Sequence, residues 1–135
     1  MSRSPASLVH AANQALIVEG RLDAINEFFS PDYVAHFTGS DLAGGHDAVR
    51  RVITAIRNAF SDITLEVDVL VESGDRIAWL RTASGTQTGS FKGFPASDKK
   101  LRWCDMVTSE IRDGLIVQEW VVTDLAEQLL LARKR

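Results

Sequence analysis

Thr64-Leu65-Glu66-Val67-Asp68-Val69-Leu70-Val71-Glu72 alternates apolar and polar side chains along most of its length. In an extended chain Leu65, Val67, Val69 and Val71 point one way, and Thr64, Glu66, Asp68 and Glu72 the other. That is the pattern of a half-buried strand. Just upstream the spacing differs. In His46–Phe60 the apolar residues Val49, Val52, Ile53, Ile56 and Phe60 recur every three or four positions, and Arg50, Arg51 and Arg57 contribute to a polar side. That is an amphipathic helix. The change of period divides a helical N-terminal half from a strand-rich C-terminal half.

Towards the N-terminus, Ser4–Glu19 reads as a helix, with Pro5 suited to its first turn and Gly20 to its end. Leu22–Phe29 reads as a shorter helix, Ser30-Pro31-Asp32 as a turn, Tyr33–Phe37 as a short strand and Thr38–Gly45 as loop. Towards the C-terminus, Gly74-Asp75 marks a turn and Arg76–Thr88 a second long strand. A loop at Gly89–Lys99, a third strand at Lys100–Ile111, a turn at Arg112-Asp113-Gly114 and a fourth strand at Leu115–Thr123 follow. Asp124–Arg133 closes the chain as a helix. Three helices followed by about four antiparallel strands predict an α+β fold, with the helices laid across one face of a curved sheet.

The 135 residues form one domain, 1–135, and such a length buries about two-thirds of its surface, enough to enclose a pocket. Fifteen basic against eighteen acidic residues give a net charge of −3. No electrostatic pull toward nucleic acid or an anionic membrane is expected from that balance. The basic tail Arg133-Lys134-Arg135 suits the last turn of a helix. No apolar run reaches the ~18 residues of a membrane span, and Met1–Ala6 does not read as a signal peptide. The lone Cys104 has no intramolecular disulfide partner. The expectation is a soluble cytoplasmic protein.

No phosphate-binding loop or dinucleotide fingerprint is present, and His10, His36 and His46 lack a second histidine or cysteine at metal-ligand spacing. Neither a metal nor a cofactor is expected. Trp103 and Asp105 share one face of the third strand; Trp120 and Asp124 share a face at the end of the fourth. Reflection about Asp113-Gly114 sets Asp105 opposite Trp120–Val122, which would bring indole rings and acids into one cavity. A carboxyl beside indole rings is desolvated, its pKa rises, and it becomes a general acid or base near neutral pH.

Each of these residues also has a plainer reading. Asp124, with Glu127 three residues on, suits the cap of the last helix. Asp105 could face outward. Trp79, Trp103 and Trp120 could be core rather than ligand wall. Tyr33 and His36 could pack at a rim or exchange protons at a pocket mouth. Arg81 lies between Trp79 and Ala83 on one strand face; if that face is inward it needs an acidic partner. Cys104 reads as a small buried hydrophobe, and His46 as a surface residue.

Several segments, in order, resemble a known family: Tyr33-Val34-Ala35-His36; Ala59-Phe60-Ser61-Asp62-Ile63; Gly74-Asp75-Arg76-Ile77-Ala78; Gly85-Thr86 with Gly89-Ser90-Phe91-Lys92-Gly93-Phe94-Pro95; and Asp113-Gly114-Leu115-Ile116-Val117-Gln118-Glu119-Trp120 with Asp124. Over about residues 8–130 the chain resembles the SnoaL-like polyketide cyclases of the nuclear transport factor 2-like superfamily. The resemblance implies a cone-shaped α+β barrel, with helices on a strongly curved mixed or antiparallel sheet and an apolar pocket open at one end.

It also implies intramolecular aldol cyclisation without metal or organic cofactor, with an acid/base aspartate that corresponds to Asp124. Asp105 and His36 would assist, while Tyr33, Trp79, Arg81, Trp103 and Trp120 would surround a small hydrophobic carbonyl compound. Relatives on this fold hydrolyse epoxides with an aspartate–arginine–aspartate set, isomerise steroids, dehydrate, or only bind. A homodimer is expected by the same analogy. Ser61, Gln87, Ala96-Ser97-Asp98 and Gln118-Glu119 stand where the family often has Pro, His, Pro-Thr-Gly and Glu-His. These departures bear on the substrate more than on the fold.

Overall fold

The computed structural model describes residues 3–133. Lys134 and Arg135 of the basic tail lie outside the described residues, while Arg133 stands in the last turn of the closing helix. Helix α1, Pro5–Ala12, starts where Ser4 accepts a hydrogen bond from the Ser7 amide at 3.2 Å. It buries Leu8, Val9 and Ala12. It then widens into π-helical turns over Asn13–Val18 rather than remaining one regular helix to Glu19. At the junction the Asn13 side-chain amide donates to the Val9 carbonyl, 2.9 Å away. The expected second helix is a run of tight 3-10 turns, Leu22–Glu27.

Strand β1, Phe29–Phe37, begins four residues earlier than the sequence suggests. The Ser30-Pro31-Asp32 segment belongs to the strand, but its pairing register shifts between Phe29 and Val34, where Pro31 lacks the N–H a regular ladder needs. The expected loop after it contains a short strand, β2, Ser40–Leu42, paired antiparallel with β1. Helix α2, Gly45–Ala59, buries Val49 and Ile53. The long strands are β3, Thr64–Ser73; β4, Arg76–Thr86; β5, Lys100–Arg112; and β6, Leu115–Thr123. Helix α3, Leu125–Arg133, buries Leu125 and Leu129.

The sheet has six strands in the order β2-β1-β6-β5-β4-β3. All neighbours are antiparallel except β1 and β6, which run parallel, so the sheet is mixed. The helices pack on one face of it, and the fold is α+β. In β3 the alternation holds through Val69; a register shift then leaves Val71 59% exposed, off the buried face. Gln87, fully buried at the end of β4, shapes the β4–β5 loop by donating from its amide to the carbonyls of Gly89 and Pro95. Among the described residues no helix is long and apolar enough to cross a membrane.

Candidate active site

The inward faces of β1, β4, β5 and β6, together with α1, its π-helical continuation, α2 and α3, enclose a cavity of about 450 Å³. Its walls are mostly apolar, with Trp79, Trp103, Phe29, Val49 and Ile53 among them. Exposed lining residues mark its opening: Arg51 and Ala55 on α2, Lys92 on the β4–β5 loop and Ala126 on α3. Strand alternation delivers the polar groups. Arg81 follows Trp79 on the inward face of β4, and Asp105 follows Trp103 on β5. The two are direct cross-strand partners.

Arg81 Nε donates to Asp105 Oδ2 at 2.7 Å, and another guanidinium nitrogen donates to Asn13 Oδ1 at 2.9 Å. Asp105 is buried, so the guanidinium beside it meets the need for an opposite charge. Asp105 Oδ1 accepts no hydrogen bond from the described residues, nor is it a sealed, unpaired atom. That oxygen is open to the cavity its residue lines.

A second polar set lies further along β5. Trp79 Nε1 donates to Ser109 Oγ at 2.9 Å, and Ser109 Oγ donates to Glu119 Oε2 at 2.5 Å. Tyr33 Oη pairs with Glu119 Oε1 at 2.7 Å. Burial pushes the Glu119 carboxyl above its ordinary value, against the opposing pull of Ser109, Tyr33 and the Arg81 charge. Tyr33 is raised well above the usual phenol value, by burial first and by Glu119 second.

Of the residues expected at the site, Tyr33, Trp79, Arg81, Trp103 and Asp105 line the cavity. Asp124, His36 and Trp120 do not. The offset originates in β6. The register with β5 shifts between Ile111–Ile116 and Glu110–Gln118, so Val117 is an extra residue. Asp105 therefore pairs with Thr123, not with Trp120–Val122, and Trp120 is turned to the outer face. There Trp120 stacks on His36 at 5.2 Å and lies under the Arg76 guanidinium at 4.9 Å. His36 bonds Asp41 at 2.8 Å and Gln118 at 2.9 Å.

Asp124 lies past the end of β6, so strand alternation no longer aims it. Its Oδ1 accepts from the Cys104 amide at 2.8 Å, and its backbone carbonyl accepts the Gln128 amide at 3.0 Å. Cys104 is half-buried rather than core, because Trp103 and Asp105 take the inward positions beside it. His46 is half-buried too, its Nε2 bonded to the Phe29 carbonyl at 2.7 Å. Glu119, Ser109 and Asn13 were not singled out from the sequence. With Trp120 expected inward, strand alternation turns its neighbour Glu119 outward, so the sequence pointed away from Glu119 until the register shift was known. Among the described residues no three His, Cys, Asp or Glu side chains are grouped to hold a metal ion.

The sequence profile of the SnoaL-like polyketide cyclases matches residues 7–130. The chain belongs to this family. Solved structures agree with that assignment in fold. TsrD from Streptomyces laurentii superposes on this SnoaL-like chain with a TM-score of 0.81 at 26% identity, covering 96% of this chain and 97% of that one. IdmH from Streptomyces antibioticus, described as a candidate polyketide cyclase, gives 0.79 at 25% identity, covering 98% and 100%. A candidate polyketide cyclase from Acidithiobacillus ferrooxidans gives 0.82 at 18% identity, covering 98% and 99%. No curated protein matches the sequence. Family membership gives this SnoaL-like chain a general role of the polyketide-cyclase type.

Proposed function

We propose that the chain is an acid/base enzyme for a small hydrophobic carbonyl compound, working without a cofactor, and that its reaction is an aldol-type ring closure with Asp105 as the base. One observation carries this reading: in a largely apolar cavity, Asp105 is held through Oδ2 by Arg81 while Oδ1 is left open. A carboxylate fixed at one oxygen and free at the other can take a proton from the carbon beside a carbonyl. Arg81 uses two nitrogens on Asp105 and Asn13, and its third is left to face the developing enolate oxygen. The walls of Trp79 and Trp103 suit flat, unsaturated rings.

The test needs no natural substrate. 2-Tetralone in deuterium oxide reports base chemistry by uptake of deuterium beside its carbonyl. The wild-type protein should accelerate uptake over buffer. Asp105→Asn should reduce that acceleration about 100-fold or more, and Asp124→Asn should not. Bound ketone with no accelerated uptake would replace this reading with a non-catalytic binding module.

Epoxide hydrolysis is a second reading, favoured by the presence of two buried acids, Asp105 and Glu119, about the half-buried Arg81 of the cavity. Diol formation from styrene oxide, lost in Arg81→Met, would select it.

A further inference from the structure

The Asp105 base accounts for only half of a ring closure. The α-proton goes to Asp105, the enolate carbon bonds to a second carbonyl carbon, and the oxygen of that carbonyl must then gain a proton. We propose that this proton comes from Tyr33, replenished by Glu119, so that the cavity has a donor end distinct from its base. The proposal rests on the Asp105 reading above and extends it.

Hydrogen-bond directions carry the argument. The Trp79 indole N–H can only donate, so Ser109 Oγ accepts there, 2.9 Å away. The Ser109 hydroxyl proton is then directed to Glu119 Oε2, at 2.5 Å. That oxygen is committed as an acceptor. A proton held by Glu119 therefore sits on Oε1, whose one partner among the described residues is the Tyr33 oxygen at 2.7 Å. When Glu119 is protonated, Tyr33 accepts from it, and the phenol O–H turns into the cavity that Tyr33 lines. When Glu119 is ionised, the phenol O–H turns back to the carboxylate and the donor is withdrawn.

The proton balance then closes. Tyr33 gives its proton to the new alkoxide oxygen as Glu119 gives its own to Tyr33. Asp105 finishes protonated and Glu119 ionised, and exchange with water resets both. Ser109 pairs directly with Glu119 across β5 and β6, and Asp105 lies four residues back on the same face of β5. That spacing is roughly 13 Å of strand between the Asp105 and Ser109 positions, so base and donor set stand at different levels of the same cavity wall. Tyr33 touches the substrate; Glu119 acts through it and is a positioning residue.

The charged and titratable groups facing Glu119 are few. β1 brings Tyr33, β4 brings Arg81, and β5 brings Asp105 with the neutral Ser109. The π-helical segment brings Asn13 as its one polar lining residue, beside Leu16 and Ile17, and Arg51 of α2 and Lys92 of the β4–β5 loop are exposed at the opening. Burial favours the protonated form of Glu119, and Arg81 and the two hydroxyls oppose it.

The test uses a 1,5-diketone, 2-(3-oxobutyl)cyclohexanone, and follows two events in the same sample: deuterium uptake beside its carbonyls and ring closure. In Tyr33→Phe and Glu119→Gln, closure should fall at least tenfold more than uptake. In Asp105→Asn both should be lost together. The wild-type closure rate should decline as pH rises through the raised pKa of Glu119 and its proton is lost. Glu119→Gln should abolish that decline, and Ser109→Ala should shift it to higher pH by removing a donor to the anion. Equal losses of uptake and closure in Tyr33→Phe, or uptake without closure in the wild type, would overturn the donor and leave the Asp105 base standing. Absence of uptake in the wild type would overturn the base itself. Should Glu119→Gln not fold, an unshifted pH profile in Ser109→Ala overturns the relay.

Discussion

Arg81 and Asp105 stand directly opposite each other on β4 and β5, and their side chains meet at 2.7 Å inside the cavity. The side chains are 20% and 7% exposed, so water screens the pair only slightly. Removing one member leaves the other charged and unpaired. Arg81→Met should therefore destabilise the protein by about 3 kcal/mol, while the double change Arg81→Met with Asp105→Leu should recover much of that loss. Urea unfolding of the two single variants and the double variant gives the coupling. A single-variant cost no larger than that of the double would mean the pair does not contribute to folding.

Asp124 is a different kind of acid. Its Oδ1 caps the Cys104 amide and its backbone carbonyl begins α3. Asp124→Ala leaves that amide without its partner and should cost about 1 kcal/mol. Asp124→Asn keeps an acceptor oxygen there and should cost less. Deuterium uptake into 2-tetralone should stay within twofold of wild type in both. A large loss of uptake at full stability would return Asp124 to the chemistry.

Which parts of this site could be read from the sequence follows from strand parity. Arg81 with Trp79, and Asp105 with Trp103, are separated by two residues within unbroken stretches of strand, and alternation alone aims each pair inward. In β6 the extra residue at Val117 changes which residues pair with β5. Unbroken reflection about the turn would set Val122 against Asp105, where Thr123 stands; that slip of one residue reverses the face and turns Trp120 outward. Nothing in Val117 itself announces the bulge. The widening at Asn13 was equally hidden, because Leu8, Ala12, Ala15 and Leu16 fit a regular helix as well as they fit this one. The α+β order was legible because after α2 the period changes from helical to alternating and does not revert until the closing helix.

On the outer face, His36 pairs with two acceptors. Gln118 uses its amide nitrogen on Glu110 and so presents its oxygen to His36 Nε2, while Asp41 takes Nδ1. Both ring nitrogens donate only in the imidazolium. The Gln118 bond first, and Asp41 second, raise the His36 pKa above 6.5. A histidine whose folded pKa exceeds its unfolded value stabilises the protein fully below the unfolded value, and that contribution is lost as pH rises through the folded one. Urea midpoints should therefore fall between about pH 6 and the folded pKa in wild type, and fall less in His36→Gln. Proton NMR titration of His36 should show a lower pKa in Gln118→Met. An unmoved titration there would remove Gln118 as the cause.

The N-terminus of α2 is seated against β1 by close packing at one glycine. Gly45 has φ +58°, and a Cβ there would overlap the Pro31 carbonyl oxygen. Gly74, at the β3–β4 turn, has nearly the same φ, +62°, but nothing within 4 Å of an added Cβ. The two positions separate backbone strain from packing. Gly74→Ala should cost about 1 kcal/mol, the strain alone. Gly45→Ala should cost about 3 kcal/mol, because relief requires the helix start to move off the strand. Melting temperatures should fall by roughly 4 °C and 12 °C respectively. Movement of α2 also shifts Val49 and Ile53 in the cavity wall, so 2-tetralone binding should weaken in Gly45→Ala and not in Gly74→Ala. Equal losses in the two variants would mean that the β1–α2 junction does not set the shape of the cavity.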